Sequence, residues 1–490
     1  MAGEPQRLHI MLFPFMAAGH MIPTLDIAKM FAAQQVKTTI VTTPRNSPFF
    51  TKPLETYKNI GPPIDIEIIP FPCHLGGIPE GIENFDQFTS DEMVVKFLKA
   101  TYMLQESLEQ VMEKCKPDCL VADLLLPFAT DVAAKFNIPR LVFFGTNNFA
   151  QCVIYSIMKY KPYEAVSSDD EEFVIPNLPH EIKLTKFQLP EMMREQGDKQ
   201  MTIELMEVFG RALAAEQKSY GVIMNSFYEL EPEYVDCYNK VSGRKIWNIG
   251  PVSLCNRENE AKFQRGIKSS IDEYDCLQWL DSKKPKSVVY ICFGSLAEIS
   301  NSQLREIAMG LEASEQDFIW AIKRKNENEK NDEWLPHEFE KRMEGKGLII
   351  RGWAPQVLIL DHEATGAFVT HCGWNSTLEG ISSGVPMVTW PAFADQFYNE
   401  KLVIQILKTG IAVGAKESSR TVDAKVKHED INKAITRVMV GQEALELRIK
   451  ANKLKDLARK AVEVGGSSYC HMRSLIQELS SYNVKPNMLD

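Results

Sequence analysis

The chain has 490 residues, 44% hydrophobic and 24% charged, ordinary globular proportions that exclude collagen-like, low-complexity and largely disordered classes. At about 100–200 residues per domain, this length predicts two domains or a little more. Lys and Arg number 55 against 65 Asp and Glu, a formal net charge of −10. No long basic block interrupts that balance, which argues against nucleic acid and anionic membrane surfaces as partners.

The stretch Leu8 to Ala18 is apolar enough to imitate a signal peptide. Pro14 interrupts it, no small-x-small cleavage site follows and His20 opens a new pattern, so it reads as a buried first strand. Strand-like runs over 8–13, 37–42, 64–69, 119–122 and 140–144 alternate with helical periodicity over 23–35, 91–114 and 128–136. That alternation predicts an α/β fold with a parallel sheet wrapped by helices. Runs such as Leu141-Val142-Phe143-Phe144 suit a strand covered on both faces. The acidic run Ser167 to Glu172 has no periodicity and reads as a solvated loop. Strands over 221–224 and 245–249 close the first unit, and Gly250-Pro251 leads into a polar stretch, Asn256 to Ser270, that reads as a linker.

The pattern then restarts, with strands expected over 287–293, 317–322, 347–350, 366–370 and 386–389 and a helix over 301–314. The charged insert Lys323 to Glu333 reads as a second solvated loop. The tail from Glu443 to Tyr482 has helical spacing broken at Gly465-Gly466. The expected division is a first domain over 1–250, a linker over 251–270, a second domain over 271–465 and a C-terminal helix and tail over 466–490. No apolar run is long enough to span a bilayer. Ten scattered cysteines, with Cys115 and Cys119 the one close pair, form neither a zinc pattern nor a disulfide scaffold and fit a reducing cytoplasm. Neither a heptad run nor an obvious edge strand appears from which an oligomeric state could be read, and a monomer is the expectation carried forward.

Two α/β units place a ligand at the carboxyl ends of their strands. The familiar phosphate loops are missing: Phe15-Met16-Ala17-Ala18-Gly19-His20 stands where a dinucleotide enzyme has its glycine fingerprint, and no P-loop occurs. A nicotinamide oxidoreductase and a P-loop NTPase lose their support. The second half offers a strand ending at Thr370, then His371-Cys372-Gly373-Trp374-Asn375-Ser376-Thr377-Leu378-Glu379-Gly380, whose latter part starts a helix. Asn375 or Ser376 is expected to cap that helix, and its exposed N–H groups favour an anion such as a diphosphate.

The 44 residues from Trp353 to Gln396, WAPQVLILDHEATGAFVTHCGWNSTLEGISSGVPMVTWPAFADQ, resemble the signature box of plant UDP-dependent glycosyltransferases of secondary metabolism. The resemblance continues through the His20 loop, Val121-Ala122-Asp123, Asn225-Ser226-Phe227-Tyr228-Glu229-Leu230 and Phe293-Gly294-Ser295. It implies the GT-B architecture of two Rossmann-like domains facing across a cleft. It also implies that Trp353 stacks on uracil, with Ala354 and Gln356 near base and ribose, and that Glu379 holds ribose hydroxyls. Ser295, His371, Asn375 and Ser376 match diphosphate contacts, with no metal or other cofactor required. Trp374, Asp395 and Gln396 match sugar contacts, and a glutamine at the last position accompanies glucose, so UDP-glucose is the expected donor over UDP-galactose, UDP-glucuronate or UDP-xylose.

On the acceptor side, inverting transfer needs a base for the acceptor hydroxyl, and the resemblance assigns it to His20, with Asp123 orienting and stabilising the imidazole. Phe15, Met16, Phe144, Thr146, Phe149, Phe187, Met192 and Met193 are candidates to line an apolar cleft for a hydroxylated flavonoid, other phenolic or triterpenoid. A catalytically idle nucleotide-sugar-binding protein predicts decay at the base, relay or sugar positions. His20, Asp123, Asp395 and Gln396 are all intact.

Overall fold

The computed structural model describes residues 7–482 except 60, 89, 195–198, 324–333 and 424. Seven strands form the first sheet: β1 (His9–Phe13), β2 (Lys37–Thr42), β3 (Ile64–Ile68), β4 (Cys119–Asp123), β5 (Arg140–Phe144), β6 (Gly221–Met224) and β7 (Ile246–Asn248). They run in the order β3-β2-β1-β4-β5-β6-β7, all parallel. Six more, β8 (Val288–Cys292), β9 (Asp317–Ile322), β10 (Gly347–Arg351), β11 (Thr365–Thr370), β12 (Met387–Thr389) and β13 (Gly410–Ala412), form a second parallel sheet in the order β10-β9-β8-β11-β12-β13. In both, the order reverses at the first strand, which leaves a crevice beyond the carboxyl ends of its two neighbouring strands.

Alternation along each strand supplies both faces with core. Met11 and Phe13 of β1 join one apolar cluster, and Ile10 and Leu12 join another on the opposite face. A third cluster runs continuously from Phe144, Phe149 and Met224 into Tyr290, Phe368 and Trp374, so the two sheets' units share core across their boundary.

Five helices matter to the site: α1 (Ala18–Ala33), α2 (Gln356–Asp361), α3 (Trp374–Ser383), α4 (Gln396–Lys401) and α5 (Ser467–Tyr482). α5 returns to the first sheet, where Met472, Leu475 and Leu479 are buried with Ile10, Leu12 and Trp247. The segment after β7 is packed rather than loose: Val252–Cys255 is a 3-10 turn, Asn259–Phe263 a short helix, and Asn256 is buried. The acidic run 167–172 is an exposed loop. Of the charged insert, Lys323 alone belongs to the described residues. Among the described residues no helix is long and apolar enough to cross a membrane.

Candidate active site

His20 and Asp123 follow directly from topology. β1 and β4 are neighbours at the reversal of the first sheet, so the loop after β1 and the last residue of β4 meet at one rim. His20 Nδ1 lies 2.6 Å from Asp123 Oδ2. The other Asp123 oxygen accepts the Leu125 backbone N–H at 3.0 Å, which fixes the carboxylate. Asp123 is 1% exposed and the His20 side chain 29%, so the acid is sealed and the ring is open to the cleft. With Nδ1 donating to Asp123, Nε2 carries the free lone pair. His20 titrates above the ordinary 6.5. Burial pulls it down, but the charge and hydrogen bond of Asp123 outweigh that, and Asp86 and Asp395 add to the rise.

The second sheet repeats the arrangement. β8 and β11 adjoin at its reversal, which brings Gly294, the residue before Ser295, against His371. The His371 ring lies against two glycines: a Cβ on Gly294 would sit 2.6 Å from its Cε1, and one on Gly373 2.3 Å from its Nε2. Both motifs therefore need glycine for close approach. Burial pushes the His371 imidazole down to about 4, so it is neutral at working pH.

The expected caps of α3 are corrected. Its N-cap is Gly373 and no side chain caps it, because Asn375 and Ser376 already stand within the first helical turn. The first backbone bond runs from Thr377 N–H to the Gly373 carbonyl, and the N–H groups of Trp374, Asn375 and Ser376 precede it without an intrahelical acceptor. That end carries roughly half a positive charge from the helix dipole. The turn before it is held at a conformational cost: Cys372 adopts a φ of +63°, worth about 1–2 kcal/mol for a non-glycine residue. Asn399 Nδ2 steadies it through the Cys372 carbonyl at 2.9 Å.

Asn375 and Trp374 turn their side chains to the first domain. Pro23 within α1 lacks the N–H that would bond the Gly19 carbonyl, and Asn375 Nδ2 donates to that carbonyl at 2.6 Å. The helix end of the second domain thus touches the residue preceding His20. The Trp374 indole N–H donates to the Asn225 carbonyl at 2.7 Å, and Asn225 Nδ2 to Asn375 Oδ1 at 3.3 Å.

Gln356, at the start of α2, donates to Ser376 Oγ at 3.0 Å and to Glu379 Oε2 at 2.7 Å. Ala354 is buried behind it, and Trp353 is partly exposed. After β12, Asp395 Oδ2 accepts from Thr146 at 2.7 Å and from Asn399 at 3.1 Å. Burial raises the Asp395 carboxyl, partly offset by those bonds and by His20. The Gln396 carbonyl accepts the N–H groups of Ala392 and Phe393 at 2.9 and 3.0 Å, so its amide N–H pair is what remains for a ligand.

The acceptor candidates divide. Phe15 meets His20 edge-on, ring centroids 5.5 Å apart, and Met16 is buried beside it in the same cluster. Thr146 stands at the cleft through Asp395, and Phe187 and Met193 are half-buried. Phe144 is buried. Phe149 is corrected to a core residue: it has no exposed surface and packs edge-on against Tyr234. Its place follows from Asn147 capping the helix Asn148–Tyr160 and Glu231 accepting the Phe149 N–H at 2.7 Å. The Met192 side chain lies outside the described residues.

Several participants escape the sequence patterns. Asp86 accepts the Ala18 N–H at 3.2 Å, Lys323 donates to the Ser295 carbonyl at 3.0 Å, and Asn399 joins Asp395, Cys372 and Asn147. Lys323 is itself exposed, as the reading of its insert as a solvated loop expects, and the rest of the insert lies outside the described residues. The position of Lys323 at the carboxyl end of β9 was the available signal. Among the described residues no group of three or more His, Cys, Asp and Glu side chains is placed to hold a metal ion.

Comparison with known proteins adds the following. The family profile described as UDP-glucoronosyl and UDP-glucosyl transferase matches residues 199–446. Scopoletin glucosyltransferase of Nicotiana tabacum is 56% identical over 477 residues, 97% of this chain and 99% of its own length. UDP-glucose flavonoid 3-O-glucosyltransferase 7 of Fragaria ananassa is 52% identical, covering 97% of this chain and 96% of its own. The crystal structure of UGT73P12 from Glycyrrhiza uralensis, complexed with glycyrrhetinic acid 3-O-monoglucuronide, superposes with a TM-score of 0.88 at 39% identity over 98% of this chain and 97% of that one.

Proposed function

Because the chain belongs to the UDP-glucoronosyl and UDP-glucosyl transferase family, as a plant UDP-glycosyltransferase of GT-B fold, we propose that it moves glucose from UDP-glucose to a hydroxyl of a small apolar metabolite. The acceptor is a flavonoid, another phenolic or a triterpenoid. The observation that carries this reading is the 2.6 Å His20–Asp123 pair standing one residue from the Gly19 carbonyl that Asn375 of the uncapped α3 engages.

In this reading His20 Nε2 takes the proton of the acceptor hydroxyl as its oxygen attacks the anomeric carbon. The bond to UDP breaks on the opposite face, so the sugar inverts. Asp123 holds the tautomer and stabilises the imidazolium that forms. The departing diphosphate gains charge, and the N–H groups of α3, with Ser295 and neutral His371 beside them, stabilise it without reorganising. Trp353 stacks on uracil and Glu379 accepts from ribose hydroxyls. Asp395 and the Gln396 amide bind the sugar. Trp374 contributes its backbone, since its indole N–H is spent on Asn225.

The relatives named for glucosyl transfer to scopoletin and to a flavonoid support glucose and a phenolic acceptor. The reading includes a cytoplasmic monomer that uses no metal. A turnover panel crossing UDP-glucose, UDP-galactose, UDP-glucuronate and UDP-xylose with scopoletin, quercetin and a triterpenoid tests it. UDP-glucose is expected to give the highest kcat/KM, unchanged by EDTA. Preference for another sugar removes the donor assignment, and no transfer from any donor removes the reading.

A further inference from the structure

α1 is buried on nearly every side, and Asp26 and Lys29 are buried with it. Charged side chains are rarely that deep unless paired. Asp26 finds its partner in the segment between the two sheets: Arg265 Nε donates to Asp26 Oδ2 at 2.8 Å, and Arg265 Nη1 donates to Glu379 Oε1 at 2.5 Å. The side chains of Asp26, Arg265 and Glu379 are 1%, 9% and 4% exposed. Asn256, from the same segment, donates to the other Asp26 oxygen at 2.8 Å and accepts from Lys29 at 2.8 Å. The next residue, Gly266, packs so closely on the Trp353 indole that a Cβ there would lie 2.4 Å from Cζ2. Residues 265 and 266 therefore touch both side chains read above as the holders of ribose and uracil.

We propose that Arg265 is a donor-positioning residue: it holds Glu379 in one rotamer for the ribose hydroxyls, and through Asp26 it registers that carboxylate to the helix that carries His20. The proposal rests on the reading of Glu379 as the ribose residue. The buried guanidinium and carboxylate compensate each other, and removing one strands the other. Gln356, the other donor to Glu379, is neutral. With Arg265 on Oε1 and Gln356 on Oε2, each Glu379 oxygen keeps a second lone pair for a ribose hydroxyl. A guanidinium suits the place because its planar fork reaches two carboxylates at once, which an ammonium on a flexible stem does not do in fixed geometry.

The test is calorimetric binding of UDP and of 2′,3′-dideoxy-UDP to the full-length wild type and to R265M, R265K, D26N and E379Q, each checked for folding by its melting curve. The wild type is expected to prefer UDP, and R265M to lose about fivefold or more of that preference. R265K is expected to restore part of it, and D26N, which keeps the side-chain shape, to fall between. D26N and R265K carry the test if R265M does not fold. Loss of preference in E379Q with full or increased preference in the Arg265 and Asp26 variants overturns the proposal alone. Full preference in E379Q overturns the ribose reading and the proposal with it.

Discussion

The proposed role of His20 as the base rests on what surrounds it. Asp123 lifts its pKa above 6.5, with Asp86 and Asp395 contributing. A base must be neutral to act, so kcat/KM should fall on the acid side with a midpoint above 6.5, and Asp123→Asn should act in two ways. Losing the carboxylate lowers the His20 pKa, which moves the acid limb to lower pH, and it removes imidazolium stabilisation, which lowers kcat by about 10²–10⁴-fold. A pH profile of the variant with an unmoved acid limb would dissociate Asp123 from the base. His20 and Asp123 were legible because one follows and the other ends a recognisable strand within family context. Arg265 was not: a lone arginine in a polar stretch has no motif, and its one signal was indirect, an acidic residue inside the apolar run of α1. Phe149 misled for the opposite reason, since aromatic residues after a strand serve core and pocket alike.

Among the elements, the proposed donor site is two strand ends and one helix start. Its glycines are fixed by the His371 ring rather than by turn geometry alone. Gly373→Ala puts a methyl 2.3 Å from His371 Nε2, so the ring or the turn must move. The expected result is a UDP affinity reduced by about tenfold or more with the melting temperature little changed, read by calorimetry and thermal unfolding. Unaltered affinity would show that His371 and the turn are not a unit. Parallel strands buried on both faces form continuous apolar runs, and for that reason they were readable to within a residue or two; the short, partly exposed β13 has no such run and no counterpart among the expected strands. Helices were less so. The periodicity over 91–114 is two helices, Asp91–Thr101 and Gln105–Cys115, joined by a 3-10 turn. α1 starts five residues before the expected 23, because Pro23 reads as a start yet is accommodated inside. The helices Asn148–Tyr160 and Lys199–Gln217 have no counterpart among the expected elements. The first is buried along most of its length and so lacks a clean polar face.

At the scale of the molecule, the two sheets are joined by polar contacts concentrated where the reaction is proposed: Thr146 to Asp395, Asn147 to Asn399, Asn225 to Trp374, and Gly19 to Asn375. α5 closes the circuit by packing the chain's far end on the first sheet. Met472, Leu475 and Leu479 are essentially fully buried there. At about 1.5–3 kcal/mol for each such side chain, their removal costs on the order of 5 kcal/mol or more, a large share of the roughly 5–15 kcal/mol by which domains are stable. Truncation after Gly466 should therefore abolish cooperative unfolding of the first domain, and Leu475→Ala should lower the melting temperature while leaving UDP affinity intact. A truncated chain with wild-type stability would deny α5 that role. The net charge of −10 fits the same proposal, in which the donor's diphosphate is met by helix N–H groups and neutral side chains.

The proposed reaction depends on one base. Glucosyl transfer from UDP-glucose to scopoletin or quercetin, measured for the wild type and His20→Ala together with a UDP titration of both, tests it most directly. The expected result is turnover by the wild type, none detectable for the variant, and UDP affinities equal within about twofold. Full transfer by His20→Ala would contradict the account.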